Sequence, residues 1–282
     1  MLGKLLKHEW KSTCKIMTAA NLTLLLLTLT GCCILNTDIF DSQESALLAV
    51  FLIIFYALSL AAFSIITGIY LYARFYRNLF TSQGYLMHTL PVTPLQLFHS
   101  KLLVGYFWSS VNALLTILSV ILLSFVAGYH YVDTYGAENV QDLLQDLDMV
   151  ISTGNGDWTI SFRNLFGYTP LQILGLMILL QLSGSLASLL MGYVSILLGQ
   201  LMEKYRLACA IGFYIALYIG NQIISSVLIL SPTLYKSVST MGSFLNSYYK
   251  NMLPAAVFSQ LILSFIFYMV SVLLMRRKLN LD

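Results

Sequence analysis

The sequence predicts an all-α, polytopic membrane protein that crosses the bilayer six times. Of its 282 residues, 58% are hydrophobic and 10% are charged, and the mean hydropathy is +0.80. A soluble domain carries about 25% charged residues. Several uncharged runs also reach the length of about 20 residues that a helix needs to cross a hydrocarbon core. These two observations exclude a soluble fold, and the scattered net charge of +3 gives no sign of a nucleic-acid partner.

Six apolar runs without Asp, Glu, Lys or Arg define the predicted spans. They cover residues 18–35, 46–72, 102–130, 168–198, 207–230 and 254–275. The segments between them contain charges, prolines or turn residues. The sequence therefore predicts one membrane domain over 18–282, with a cytoplasmic segment at 73–101 and extracellular segments at 131–167 and 231–253.

The placement of basic residues predicts the orientation, because short cytoplasmic loops accumulate Lys and Arg. With the N-terminus inside, only Arg163, Lys236 and Lys250 of the 15 basic residues lie outside. An even number of spans then returns the C-terminus to the same side. We expect a multi-pass protein of the plasma membrane, of bacterial type, with both termini cytoplasmic.

Residues 1–17 are predicted to form an amphipathic helix in the cytoplasmic interface. Leu2, Leu5, Leu6 and Trp10 recur at helical spacing, and Lys4, Lys7, Lys11 and Lys15 take the other side. The amphipathic pattern is typical of a helix that lies at headgroup depth.

A helix start is encoded at the end of the second connection. Thr93 can cap, Pro94 suits the first helical position, and Gln96 completes a capping box. Two interpretations remain open: a short helix that projects into the cytoplasm, or simply the capped start of the third span.

These features together resemble the permease subunits of type-2 ATP-binding-cassette (ABC) exporters. The resemblance lies in the basic N-terminal helix, the six spans, and the Thr-Leu-Pro-Val-Thr-Pro turn at 89–94 followed by an apolar helix that ends in Lys101. It implies that this turn carries a cytoplasmic coupling helix that docks on an ATPase. The implied contact residues are Leu90, Pro91, Thr93, Pro94, Leu95, Gln96 and Phe98.

The resemblance also implies partners. The sequence contains no Gly-x-x-x-x-Gly-Lys-[Ser/Thr] loop for phosphate binding. We therefore expect two separate nucleotide-binding ATPase subunits, which would bind ATP and Mg, and a second permease that is either identical or different. For this chain we expect no enzymatic activity, catalytic residue, metal or cofactor of its own.

Polar and small residues inside the spans supply candidates for packing and for substrate contact. In the fourth span, Gln181, Ser185, Ser188, Gly192, Ser195 and Gly199 form a seam that favours close helix packing, and the fifth span carries a stripe of Gly212, Ala216 and Gly220. The resembled family has its path beside spans two and five. The candidate path residues are Phe55, Ser59, Phe63, Thr67, Tyr214, Tyr218, Asn221 and Gln222, and ordinary helix packing is the alternative for them.

The extracellular segments are predicted to contain local structure. Residues 140–147 have helical periodicity and 154–157 mark a turn. Residues 231–253 suggest short interfacial helices, after which Pro254 would open the last span.

The expected function is outward transport of a hydrophobic or amphipathic molecule, such as a drug, an antimicrobial peptide or a lipid, which would make the protein an efflux or resistance component. A secondary transporter would need an ionisable group at membrane depth, but the predicted spans contain no Asp, Glu, Lys or Arg, and His130 lies only at the outer end of the third span. A membrane-embedded enzyme is disfavoured because the histidines are dispersed and no carboxylate pair lies in a span. A partner of a sensor or assembly complex that does not itself transport remains an alternative.

Overall fold

The computed structural model describes residues 2–35, 45–81, 93–135, 163, 166–202, 204–234 and 241–277. These residues form six helices and no strand: α1 Leu2–Leu35, α2 Ser45–Phe80, α3 Pro94–Tyr135, α4 Pro170–Gly199, α5 Arg206–Leu234 and α6 Met241–Arg277. Each is long and apolar enough to cross a membrane. The predicted all-helical class is therefore confirmed for the described residues, as is the presence of six helices with the length and apolar composition of membrane spans. The predicted helix at 140–147 and turn at 154–157 lie outside the described residues.

Most helices extend well beyond the apolar runs that predicted them. α1 is unbroken from Leu2 to Leu35, so residues 2–17 are its first half and not a separate helix. α2 continues to Phe80 and α3 begins at Pro94, so much of the predicted loop at 73–101 is helical. A helix satisfies its own backbone hydrogen bonds wherever it runs, so the end of an apolar stretch does not mark its end.

α4 is the central helix of the bundle and contacts α2, α3, α5 and α6, while α1 packs on α3. Every side chain from Leu189 to Leu197 is buried. A Cβ added to Gly192 would lie 2.2 Å from the Tyr72 ring, and one added to Gly199 would lie 2.6 Å from the Ala210 Cβ. The predicted close packing of the α4 seam is thus confirmed at these two glycines.

Pro254 lies inside α6, thirteen residues after its start, so the prediction that it opens the last helix is wrong. A proline within a helix leaves the carbonyl four residues earlier without its N–H donor. Here that carbonyl belongs to Lys250, and it accepts a hydrogen bond of 2.9 Å from the Tyr168 hydroxyl. The turn before α4 approaches closely because Gly167 adopts a φ of 74° beside Asn246 and Lys250. A neighbouring segment therefore satisfies the group that Pro254 leaves free.

Candidate functional site: a cleft between α2, α4 and α5

A cleft of about 910 Å³ lies between α2, α4 and α5, and three residues of α3, Ser109, Asn112 and Ala113, also line it. Its rim includes Ile65 and Ile69 of α2 and Ile211 of α5, each more than half exposed. Along α2 the lining begins at Ser64 and ends at Arg77. The thirteen steps from Ser64 to Arg77 correspond to about 20 Å of helix axis. The cleft is therefore a long groove that follows the helices.

The wall that α4 contributes combines small and hydroxyl residues. Ser185, Ser188 and Ser195 line the cleft, and each donates its hydroxyl to the carbonyl three residues earlier, at 2.7–3.1 Å. Gln181 and Gly184 line the wall closer to the start of α4. Because the serine donors are already used within the helix, this wall offers a ligand few strong hydrogen-bond donors.

Tyrosines form the floor of the cleft. The Tyr72 hydroxyl donates to the Ser188 carbonyl at 2.8 Å, and its ring lies over Gly192. The ring centroids of Tyr72 and Tyr214 are 5.8 Å apart, which brings α2 and α5 together across α4. Tyr214 in turn stacks on Tyr218 at 6.5 Å. The absence of a side chain at Gly192 thus leaves room for the Tyr72 ring against α4.

Of the predicted path residues, Thr67, Tyr214 and Tyr218 line the cleft. Asn221 instead accepts a hydrogen bond from Gln260 at 3.4 Å, and Gln222 donates to the Tyr218 hydroxyl at 3.5 Å.

The remaining α2 candidates, Phe55, Ser59 and Phe63, do not line the cleft. A repeat of four residues advances 400° around a helix, so the direction drifts by about 40° at each step. Over the three steps from Phe55 to Thr67 the drift reaches about 120°. Phe55, Ser59 and Phe63 therefore do not lie on the face of α2 that lines the cleft, whereas Thr67 does.

A buried ion cluster joins α1, α2 and α3 beside the cleft. Glu9 accepts hydrogen bonds from Lys101 Nζ at 2.5 Å and from Arg74 Nη2 at 2.9 Å. The side chains of Glu9 and Lys101 are 5% and 4% exposed, and that of Arg74 is 18% exposed. One carboxylate thus serves two cations in a largely dry setting, a geometry in which loss of one partner is strongly destabilising. We call the end of the bundle that carries Arg74, Arg77 and Lys101 the basic end.

Sequence reasoning missed this cluster. Its charge placement put Arg74 and Lys101 among the basic residues on the cytoplasmic side and gave them no partner. One available signal was the position of Glu9, which follows Leu5 and Leu6 at helical spacing and so interrupts the apolar stripe of α1. A carboxylate on the buried face of a helix requires partners, although the pattern does not identify them.

A second polar contact lies deeper in the bundle. The Asn112 amide of α3 donates to Thr67 Oγ1 of α2 at 3.3 Å and lies 3.5 Å from Asn21 Oδ1 of α1. All three side chains are buried. This contact links the same three helices as the ion cluster, as polar side chains commonly do across packed membrane helices.

The capping box predicted at the start of α3 is present. Gln96 N donates to Thr93 Oγ1 at 3.3 Å, and Thr93 N donates to Gln96 Oε1 at 3.4 Å. The same tetrapeptide, Thr-Pro-Leu-Gln, recurs at 169–172 and forms the same box at the start of α4. The motif therefore specifies a helix start, and it does so at opposite ends of the bundle.

The implied docking residues fall into different environments. Thr93 and Pro94 are exposed, whereas Leu95 and Gln96 are half-buried. Phe98 is fully buried against Phe75, Tyr193 and Tyr268, so its assignment as a surface contact is corrected. The apolar face of a helix start packs inward when the helix continues into the bundle, as α3 does. Leu90 and Pro91 lie outside the described residues.

Comparison of the chain with protein-family models, curated proteins and solved structures finds no match. Within the ranges described above, no group of three His, Cys, Asp or Glu side chains is placed to hold a metal ion. The candidate site is therefore interpreted from its own residues, as a largely apolar groove with a tyrosine floor.

Proposed function

We propose that this chain is the permease subunit of an exporter, and that it moves a hydrophobic or amphipathic molecule with energy from a separate ATPase. The observation that carries the proposal is the cleft between α2, α4 and α5. Its volume of about 910 Å³ falls within the range of ligand sites, about 300–1,000 Å³. Its apolar walls and tyrosine floor suit a substrate that partitions into lipid.

The route from the ATPase to the cleft would begin at Thr93 and Pro94. These exposed residues start α3 at the basic end. About one turn later, Phe98 contacts Phe75 and Tyr193, and after a second turn Lys101 bonds to Glu9. The rings of Tyr193 and Phe75 stack with their centroids 4.0 Å apart. Each residue is the direct chain neighbour of one that lines the cleft, Gly192 or Tyr76. A displacement of the α3 start would therefore reach α1, α2 and α4 through tightly packed groups.

A second permease would complete the path. Gly212 and Gly220 of α5 have no atom within 4 Å of an added Cβ, and the rim isoleucines of α2 are exposed. Small residues on a membrane helix allow another helix to approach closely. A second permease packed on these surfaces would cover the open side of the cleft, so that the cleft would line a path between the two subunits.

The first experiment is purification of the tagged full-length chain from its native membrane. We expect an ATP-hydrolysing subunit to co-purify, because transport by this chain would depend on it. Recovery of a chain that sustains transport in vesicles without any nucleotide-hydrolysing companion would contradict the proposal.

A second experiment tests the docking assignment with matched variants, Pro94→Glu and Pro170→Glu. Both residues occupy the same position of the same tetrapeptide, and an acid in the first turn of a helix is compatible with its dipole. We expect Pro94→Glu to lower transport-coupled ATP hydrolysis by the purified complex and Pro170→Glu to leave it unchanged. Equal effects of the two variants would remove the docking assignment.

Ion-coupled secondary transport is a second candidate, favoured by the buried Glu9. Transporters of that class use ionisable groups within the protein interior. In this structure Glu9 is held by two cations, which suits a structural role. Transport driven by an imposed proton or sodium gradient, lost in Glu9→Gln and independent of ATP, would favour this candidate.

A further inference from the structure

One arginine of the cleft stands apart from the ion cluster. Arg74 points to Glu9, but Arg77, three residues later on α2, is exposed and lines the cleft at the basic end. No acidic side chain of the described residues forms an ion pair with Arg77, and none of the cleft-lining residues is Asp or Glu. A guanidinium with five donors is thus available at one end of an otherwise uncharged groove.

The basic end of the groove carries further positive charge. Leu207 of α5 lines this end, and the exposed Arg206 immediately precedes it. From this end to Gln181 and Ser64 at the other, the lining residues are apolar, aromatic, small or hydroxyl-bearing, apart from the amides of Asn112 and Gln181. The two ends of the groove therefore differ: one end is cationic, and an apolar stretch of about 20 Å leads away from it.

We propose that the cleft binds an anionic lipid or lipid-like amphiphile, with its phosphate or carboxylate head at Arg77 and its apolar chain along α4 toward Gln181. Arginine forms bidentate, charge-assisted hydrogen bonds with phosphate and carboxylate groups. The exposed rim of Ile65, Ile69 and Ile211 gives a chain access from the side. This inference rests on the proposed function in that it names the substrate class of the same cleft.

The charge pattern favours an anionic head over the alternatives. A cationic amphiphile would place its charge beside Arg77 without a carboxylate among the lining residues to offset it. A small phosphate compound without a chain would leave the apolar walls unused, and these supply the larger part of the binding free energy.

The experiment is a competition measured by native mass spectrometry on the purified full-length chain in detergent. Phosphatidylglycerol and phosphatidylcholine of equal chain length are offered in equal amounts, and glycerol phosphate serves as the head group without a chain. We expect selective retention of phosphatidylglycerol and no retention of glycerol phosphate. The selectivity should fall about fivefold in Arg77→Gln, the effect of one basic residue near an anionic lipid surface.

Two matched controls separate the cleft from the general protein surface. Arg276→Gln removes an exposed arginine at the end of α6, outside the cleft, and should leave the selectivity unchanged. Gly184→Leu fills the cleft, whereas Gly175→Leu adds the same side chain to α4 outside it, and neither Cβ meets an atom within 4 Å. Only Gly184→Leu should lower retention of the lipid.

Equal loss of selectivity in Arg77→Gln and Arg276→Gln, or equal retention by the two leucine variants, would overturn the inference. Its failure is distinguishable from failure of the proposed function, because lipid retention is measured without ATP or an ATPase. If no ATPase co-purified but the lipid selectivity still depended on Arg77, the exporter proposal would be contradicted and the lipid inference would stand.

Discussion

Replacement of Glu9 by glutamine tests the ion cluster most directly. The change keeps the shape of the side chain but removes the negative charge that faces Lys101 and Arg74. Lys101 is 4% exposed, so its ammonium would remain in a dry site without a counter-charge. Loss of one partner from a buried ion pair costs about 3–5 kcal/mol. Arg74, at 18% exposed, retains partial hydration and adds less to the cost.

The expected loss of stability for Glu9→Gln is therefore about 3–5 kcal/mol. Lys7→Gln is the control, because Lys7 lies in the same turn of α1 and is exposed. A surface change of this kind has an effect within about 0.5 kcal/mol. Reversible unfolding of the purified chain in mixed micelles, followed by helix content against the fraction of denaturing detergent, measures both variants.

The pair Glu9→Leu and Lys101→Met extends the test to a double-mutant cycle. Glu9→Leu leaves Lys101 buried without a counter-charge, and Lys101→Met leaves Glu9 with Arg74 as its one remaining partner. The double change replaces both buried charges with apolar side chains and leaves only the partly exposed Arg74. The double variant should therefore be more stable than the sum of the two single losses predicts. If Glu9→Gln and Lys7→Gln were equally stable, or if the two cluster changes were additive, the cluster would not have the energetic role that its geometry indicates.

Two further predictions concern the close contacts of the bundle. Tyr168→Phe should cost about 0.5–1.5 kcal/mol, because the Lys250 carbonyl loses its donor at an exposed site, and the cost should shrink in a Pro254→Ala background, where residue 254 supplies an N–H. The same unfolding assay measures the cycle, and an equal cost in both backgrounds would contradict the assignment. Gly192→Ala should cost about 1–3 kcal/mol, since its Cβ would lie 2.2 Å from the Tyr72 ring, and Gly175→Ala, with open space at its Cβ, should not destabilise; the comparison is made by thermal unfolding in detergent, with equal midpoints as the contrary result.

The helix start at Thr93 shows which structural features a local sequence pattern can predict. Threonine, proline and glutamine at fixed spacing specify a capped first turn through contacts within four residues, and that turn is present. The inward packing of Phe98 depends on Phe75, Tyr193 and Tyr268, which lie 23, 95 and 170 residues away in the chain. The motif therefore predicted where the helix begins but not which of its side chains remain on the surface.

The number of spans and the all-helical class followed from the sequence alone, because each apolar run must satisfy its backbone within itself to cross a bilayer. Three features depended on tertiary structure. Glu9 meets residues 65 and 92 positions away, Pro254 is tolerated because Tyr168 reaches the carbonyl it frees, and Arg77 faces the cleft while Arg74 does not. Hydropathy is a property of each segment, whereas the partner of a buried polar group is set by the helix that packs against it, and no local pattern encodes that choice.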